Sequence, residues 1–302
     1  MDISEVALDS PAAPSSWMAV KLESKQLKWR FCVSPRGKFC FYARKQKLTR
    51  YFYCCFYNIE NNMNLPKISV ITVVRNDVAH IEHTMLSVLG QTYSNVEYIV
   101  IDGGSTDGTV DIIKKYADRL AYWVSEPDGG IYPAMNKGLL HATGEWVNFM
   151  NSGDSFADDN VLNDIFGKQH TLSPSQHHIL IGGNTVNFFP DGQEEIHHAE
   201  SAETIPHHLP FSHQASFTKR YACKLDIRYK YAADYALFYA IFHKFGASSI
   251  KVINRNIARY RQEESLSMNP QNQKKIKREY LSIQSQHPSL HWLKEYLKWK
   301  LL

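Results

Sequence analysis

Residues 95–154 constrain this chain more than any other stretch. They contain two apolar runs, 96–101 and 146–150, and each stops abruptly in polar residues. The first ends at Asp102 and a Gly103-Gly104-Ser105 turn, the second at Asn151-Ser152-Gly153-Asp154. Short apolar runs bounded by turn residues read as buried strands. Between them a helical pattern starts near Asp107, where Asp and Thr favour a helix N-terminus. Two buried strands joined by helical crossovers describe an open α/β sheet, whose ligand crevice lies beyond the carboxyl ends of its strands. Each strand therefore delivers a carboxylate to the edge where a ligand binds.

The alternation extends in both directions. Residues 68–74 form a β-branched run ended by Arg75-Asn76-Asp77, and Asn76 or Asp77 caps the helix that follows. In that helix Ile81, Met85, Val88 and Leu89 share one face. Tyr122-Trp123-Val124 is a third strand and 131–141 a helix. A β-α-β-α-β-α-β order implies right-handed crossovers and a mostly parallel sheet flanked by helices. The second half is less regular. Residues 179–182 and 185–189 read as two strands around Gly182-Gly183, with Pro190-Asp191-Gly192 as a turn. Asp234 opens a helical run, 235–245, in which Leu237, Phe238, Ile241, Phe242 and Phe245 form an apolar core stripe.

Charge and cysteine usage narrow the function classes. Lys+Arg against Asp+Glu is 10 to 5 in residues 1–66, 17 to 21 in 67–262 and 7 to 4 in 263–302. An acidic middle excludes a nucleic-acid groove there. Cys32, Cys40, Cys54 and Cys55 crowd the start, without zinc-site spacing, and Cys223 is alone in the body. That pattern predicts no disulfide framework and a reducing compartment. Apolar stretches fall short of the roughly 20 residues that span a bilayer. Met1 precedes acidic residues, unlike a signal peptide. Eight histidines run from His170 to His213, without the spacing of a zinc cage.

Three segments follow. Residues 1–64 are Ser/Pro/Ala-rich and then mix basic residues with aromatics, as in Lys28-Trp29-Arg30-Phe31, Lys38-Phe39 and Tyr51-Phe52-Tyr53. Such a mixture suits single strands or a membrane surface, but the plainer expectation is an extension without its own fold. Met63, just before Leu65-Pro66, is the expected natural start. Residues 65–262 are expected to form the main folded domain. Residues 263–302 are helical and basic, with Lys, Trp and Leu at roughly helical spacing. This last helix either packs back on the domain or lies on an anionic membrane surface.

Residues 67–261 resemble the family 2 glycosyltransferases and are similar to bacterial enzymes that extend surface polysaccharides, colanic-acid-type transferases among them. The residues carrying the resemblance are 68–76, Val100-Ile-Asp-Gly-Gly-Ser-Thr-Asp-Gly-Thr109, Glu126-Pro-Asp-Gly-Gly-Ile-Tyr132, Ala134-Met-Asn-Lys-Gly138 and Asn151-Ser-Gly-Asp154. His213-Gln214 and Ala233-Asp234-Tyr235 complete the set. The resemblance implies a GT-A, Rossmann-like nucleotide-diphospho-sugar transferase fold. It implies inverting transfer of a single sugar from a UDP-, GDP- or dTDP-linked donor to a glycan or lipid-linked acceptor. The site would be cytoplasmic, or peripheral on the inner face of the cytoplasmic membrane. The Gln-x-x-Arg-Trp signature of processive synthases is not found, which favours single addition.

Loss of a nucleoside diphosphate builds negative charge that a carboxylate-held cation neutralises. The resemblance makes Asp154 the ligand of Mn²⁺ or Mg²⁺, though the usual Asp-x-Asp is here thinned to one carboxylate. It assigns the donor to Asp102, Asp107, Asp128, Asn136 and Asn151. For Asp107 the cap of its helix is the stronger expectation, and for Lys137 a solvated charge. His213 and Gln214 match positions near the acceptor and diphosphate, and Asp234 matches the general base. Two rival readings stand beside this one. One is a non-catalytic sugar-nucleotide or glycan-binding module. The other is a nucleotidyltransferase, which calls for a glycine-rich basic loop that 74–77 does not supply.

Overall fold

The computed structural model describes residues 18–23, 28–33, 38–44, 57–58, 65–167, 177–262 and 269–301. The chain divides into two units, Met1–Asn64 and Leu65–Leu302. Within the first, strands β1 (Met18–Glu23), β2 (Lys28–Val33), β3 (Lys38–Arg44) and β4 (Tyr57–Asn58) pair antiparallel in chain order. This is more backbone pairing than the composition predicts, and it falls where aromatics enrich the segment, consistent with their strand preference. Met63 and the Tyr51–Phe52–Tyr53 run lie outside the described residues.

The second unit is built on β5 (Ile68–Val74), β6 (Val96–Asp102), β7 (Tyr122–Ser125) and β8 (Trp146–Phe149), parallel neighbours in the order β7-β6-β5-β8. Helices α1 (Ile81–Leu89), α2 (Thr109–Lys115) and α3 (Ile131–His141) make the crossovers. Every residue of β5 is buried, as a strand covered on both faces requires. Its register sets Val74 beside Asp102, and Asp102 beside Ser125, so the strand ends form one edge.

Beyond β8 the sheet becomes mixed. Strand β12 (Ser216–Lys219) runs antiparallel to both β8 and β10 (Leu180–Phe188). β13 (Ile250–Arg261) runs parallel to β10, and β9 (Ser155–Phe156) closes the edge antiparallel to β13. β11 (Glu194–His197) folds back on β10 through the turn at Gly192, whose φ is +83°. The two strands predicted around Gly182-Gly183 are thus a single strand with shifted register near Asn184. The glycines do not break it; they let other residues in. A Cβ at Gly182 would come within 2.4 Å of the Phe211 ring, and one at Gly183 within 2.6 Å of Ile257.

Two hydrophobic layers cover the sheet. α1 and α4 (Val161–Phe166) pack on one face, α3 and α5 (Ala233–Phe245) on the other. Phe245, expected in the core stripe, ends α5 at 36% exposure. Gly138 lets α3 lie close to the sheet, since a Cβ there would meet Ile71 at 2.4 Å. Helix α6 (Gln273–Gln284) packs on α5, and α7 (Leu290–Leu301) on α6, within the same unit. Among the described residues no helix is long and apolar enough to cross a membrane.

The amino edge of the sheet is held by one buried carboxylate. Glu97 accepts hydrogen bonds from Ser69 Oγ (2.5 Å), Thr143 N (2.6 Å), Thr143 Oγ1 (2.5 Å) and Gly144 N (3.2 Å), with Lys67 Nζ at 3.0 Å. Burial pushes its pKa up, but the bonds from Ser69, Thr143 and Lys67 outweigh burial and hold it down at about 2. Glu97→Ala is expected to cost about 2–4 kcal/mol in urea unfolding at neutral pH, because several donors lose their acceptor. A depressed carboxyl stabilises only while ionised. The gap between variant and wild type should therefore close as pH falls from 4.5 toward about 2.

Candidate active site

A cavity of 980 Å³ opens at the carboxyl edge of the parallel strands. The loop after β5 brings Arg75, Asn76 and Asp77 to it, the loop before α3 brings Asp128, and the turn after β8 brings Asn151 and Asp154. Opposite them stand His213 and Gln214 from the segment before β12, Asp234 from the first turn of α5, and Tyr280 from α6. Asn76 adopts φ +50°, a conformation Asn tolerates better than most residues. Its N–H donates to Ser105 Oγ (2.7 Å) and its Oδ1 accepts from Thr106 N (2.9 Å), which ties two strand-end loops together.

The centre of the site is a pair of adjacent residues. Gln214, buried, donates from Nε2 to Asp154 Oδ2 at 2.8 Å. His213 Nδ1 lies 3.1 Å from Asp234 Oδ2, and its Nε2 lies 3.0 Å from Asn151 Nδ2. With the Asn151 amide donating to Nε2, the imidazole proton sits on Nδ1 and points at Asp234. Asn151 Oδ1 is then buried without a partner. The loop is anchored by Asn148 of β8, whose Nδ2 donates to the carbonyls of Gln214 (2.9 Å) and Ser216 (2.8 Å).

The two carboxylates differ in electrostatics. Asp154 is 5% exposed. Burial drives its pKa up to about 6, despite bonds from Gln214 and from Arg261 N and the nearby His213; the Asp77 charge pushes the same way as burial. Asp234 is also pushed up by burial. In its case the hydrogen bond and electrostatic attraction of His213, the Tyr235 N–H and the Tyr132 hydroxyl (3.2 Å) outweigh burial and leave it below the ordinary value. Tyr132, buried beside it, is raised well above the usual phenol range by burial and by Asp234.

Asp154 Oδ2 accepts from Gln214 and Oδ1 from Arg261 N at 3.2 Å, leaving each oxygen a further lone pair. Among the described residues no group of three or more His, Cys, Asp or Glu is arranged to hold a metal. This oxygen-only, ligand-poor set fits Mg²⁺ or Mn²⁺, which take one or two protein carboxylates plus phosphate oxygens and water. It does not fit zinc. His170 lies outside the described residues.

Of the predicted site residues, the cavity brings together Asp128, Asn151, Asp154, His213, Gln214 and Asp234. Three others do not line it. Asp102 is fully buried, and its carboxylate accepts from Gly104 N (3.1 Å), Ser105 N (2.9 Å), Ser105 Oγ and Ser125 Oγ (2.6 Å). It organises the turn from below. Asp107 accepts from Thr109 N and Thr109 Oγ1 in the first turn of α2 and from Val78 N in the loop before α1, and these donors occupy it. Asn136 exchanges hydrogen bonds with the Leu225 backbone on both its amide atoms. Lys137 pairs with Glu126 at 3.0 Å.

Sequence reasoning missed Asp77, His80, Tyr132 and Arg261 as cavity residues. Asp77 looked like a helix cap. Instead its Oδ2 accepts from Ser152 Oγ (2.7 Å) and its Oδ1 meets His80 Nδ1 (2.5 Å). The available signal was its place in the polar run that follows β5, close to the edge where Asp102 ends β6.

A parallel β7-β6-β5-β8 half-sheet with acidic side chains converging at its carboxyl edge defines a GT-A nucleotide-diphospho-sugar transferase fold. Residues 69–215 match the family model of glycosyl transferase family 2. The chain is 45% identical over 98 residues to an uncharacterized glycosyltransferase of Mycobacterium tuberculosis, a match covering 32% of this chain and 37% of that relative. The likeness thus spans little more than a third of that relative's length. Among solved structures, Staphylococcus aureus TarS 1–349 in complex with UDP-GlcNAc superposes with a TM-score of 0.53 at 18% identity, covering 76% of this chain and 69% of that one. Glucosyl-3-phosphoglycerate synthase of M. tuberculosis, in complex with Mn²⁺, UDP and phosphoglyceric acid, gives 0.51 at 20% identity, covering 72% and 78%.

A raised carboxyl binds its proton more tightly when folded, so its contribution to stability is present below the ordinary value and lost as pH rises through the folded one. In metal-free buffer the stability of wild type relative to Asp154→Asn should fall by about 1–3 kcal/mol as pH rises from 3.8 to beyond about 6. Urea unfolding at a series of pH values measures it; a flat difference would contradict the assignment.

Proposed function

We propose that the chain moves a single sugar from a nucleotide-diphosphate donor to a glycan or lipid-linked acceptor with inversion, in surface-polysaccharide biosynthesis. The observation that carries this reading is that Asp154 and Asp234 face one cavity, each gripped by one of two adjacent residues, Gln214 and His213. The complexes of TarS with UDP-GlcNAc and of the phosphoglycerate synthase with Mn²⁺ and UDP support a donor of this class.

In this mechanism the donor diphosphate lies along the strand-end loops, near Asp154 and the positive charges of Arg75 and Arg261. When bound, Mn²⁺ or Mg²⁺ on Asp154 supplies Lewis-acid stabilisation of the leaving diphosphate. Asp128, folded against Gly103, accepts from sugar hydroxyls. A Cβ at Gly103 would come within 2.8 Å of Asp128 Oδ2, so glycine there makes room for that carboxylate. The acceptor enters from the side of Tyr231, Ile276 and Tyr280. Its hydroxyl attacks the anomeric carbon from the face opposite the phosphate. The O–H bond breaks as the new C–O bond forms, the proton passes to Asp234, and the anomeric C–O bond to phosphate breaks with its electrons on the diphosphate. His213 and Tyr132 hold Asp234 ionised and oriented before attack.

Asp234→Asn is expected to lower transfer by about 10²–10⁴-fold while UDP affinity stays within a few-fold. Transfer assays with Mn²⁺ and a panel of UDP-, GDP- and dTDP-sugars, alongside nucleotide titration calorimetry, check both halves. Tight donor binding without turnover by wild type on any acceptor would favour the non-catalytic module.

A further inference from the structure

Helix α7 has two faces of different chemistry. Trp292, Glu295, Tyr296 and Trp299 are half-buried at the three- and four-residue spacing of an inward stripe. That stripe is fastened to α6: Trp292 Nε1 donates to the Leu281 carbonyl at 2.9 Å, and Lys277 Nζ donates to Glu295 Oε2 at 2.7 Å. The other face carries Leu290, Leu293 and Leu297, exposed by 81%, 44% and 51%. At roughly 100° per residue these leucines form one narrow row, with Lys294 and Lys298 on one flank and Lys300 on the other. All three lysines are exposed. Lys298 pairs with Glu295 at 2.9 Å, and Lys300 lies 5.7 Å from the Trp299 and Tyr296 rings. Neither contact removes their charge from solvent.

We infer that this outward face of α7 is a docking surface for an anionic lipid bilayer. An apolar row edged by lysines is the pattern of a helix lying in the membrane interface, with the leucines among the acyl chains and the ammonium groups reaching up to the phosphates. A protein partner fits less well, because interface cores are depleted in lysine. Of the two alternatives left open by the sequence, packing on the domain is met by the inner face, and lying on a membrane is assigned to the outer face. The placement also has a use. α7 packs on α6, and α6 lends Ile276 and Tyr280 to the cavity, so a lipid-anchored acceptor would arrive on the side where the cavity takes acceptors. The docking surface does not depend on the catalytic reading, and its test needs no turnover.

Full-length protein is floated with phosphatidylcholine vesicles prepared with and without phosphatidylglycerol. Recruitment is expected only to the anionic vesicles, declining as salt rises. Leu293→Ser/Leu297→Ser and, separately, Lys294→Gln/Lys298→Gln/Lys300→Gln should each lower the partition coefficient about tenfold or more. These positions are exposed, so thermal unfolding and nucleotide binding should be unchanged. Three results would overturn the inference: no recruitment, recruitment that both variants retain, or a wild-type dimer in sedimentation velocity that the leucine variant dissolves.

Discussion

The site depends on two hydrogen bonds from neighbouring residues. His213 and Gln214 occupy successive positions of one loop, and each takes hold of a carboxylate from a different part of the chain, Asp234 and Asp154. Burying a carboxylate without donors is costly, and this pair supplies one side-chain donor to each aspartate. Asn148 pins the loop through the Gln214 carbonyl, which makes the fourth parallel strand the support of both grips. Loss of the Gln214 side chain would leave Asp154 with Arg261 N and a desolvation cost of about 1–3 kcal/mol or more.

The two edges of the sheet treat buried acid in opposite ways. At the amino edge Glu97 is supplied with hydroxyl, amide and ammonium donors, and its pKa falls to about 2. At the carboxyl edge Asp154 has fewer donors and Asp77 nearby, and its pKa rises to about 6. The first edge is finished by folding alone. The second is under-supplied with positive charge, and a cation with a diphosphate is the kind of ligand that completes it. Asp234 lies between these extremes, because His213 and Tyr132 hold it ionised inside a wall that would otherwise protonate it.

Much of this was legible from residues alone. Continuous apolar runs marked β5, β6 and β8 because strands covered on both faces need no alternation, and the polar residues that stop them marked the ligand edge. The convergence of Asp154, His213, Gln214 and Asp234 followed from the family resemblance, not from spacing, since tertiary contacts leave no local period. Single side chains were harder to place. Asp102, Asp107 and Asn136 carry the right chemistry, but neighbouring backbone groups consume it. Asp77 has the sequence appearance of a cap and yet faces the cavity. Gly182-Gly183 has the appearance of a break; packing against Phe211 and Ile257 needs exactly two small residues within a continuous strand, a demand written in distant positions.

The proposed chemistry requires one nucleotide diphosphate held between these carboxylates. Crystals grown with UDP and Mn²⁺, with the metal located by its anomalous signal, test that most directly. The expected map has the manganese bonded to an Asp154 oxygen and to the diphosphate, inside the cavity that His213 and Asp234 line. Nucleotide bound outside that cavity, or manganese held by residues that do not include Asp154, would contradict it.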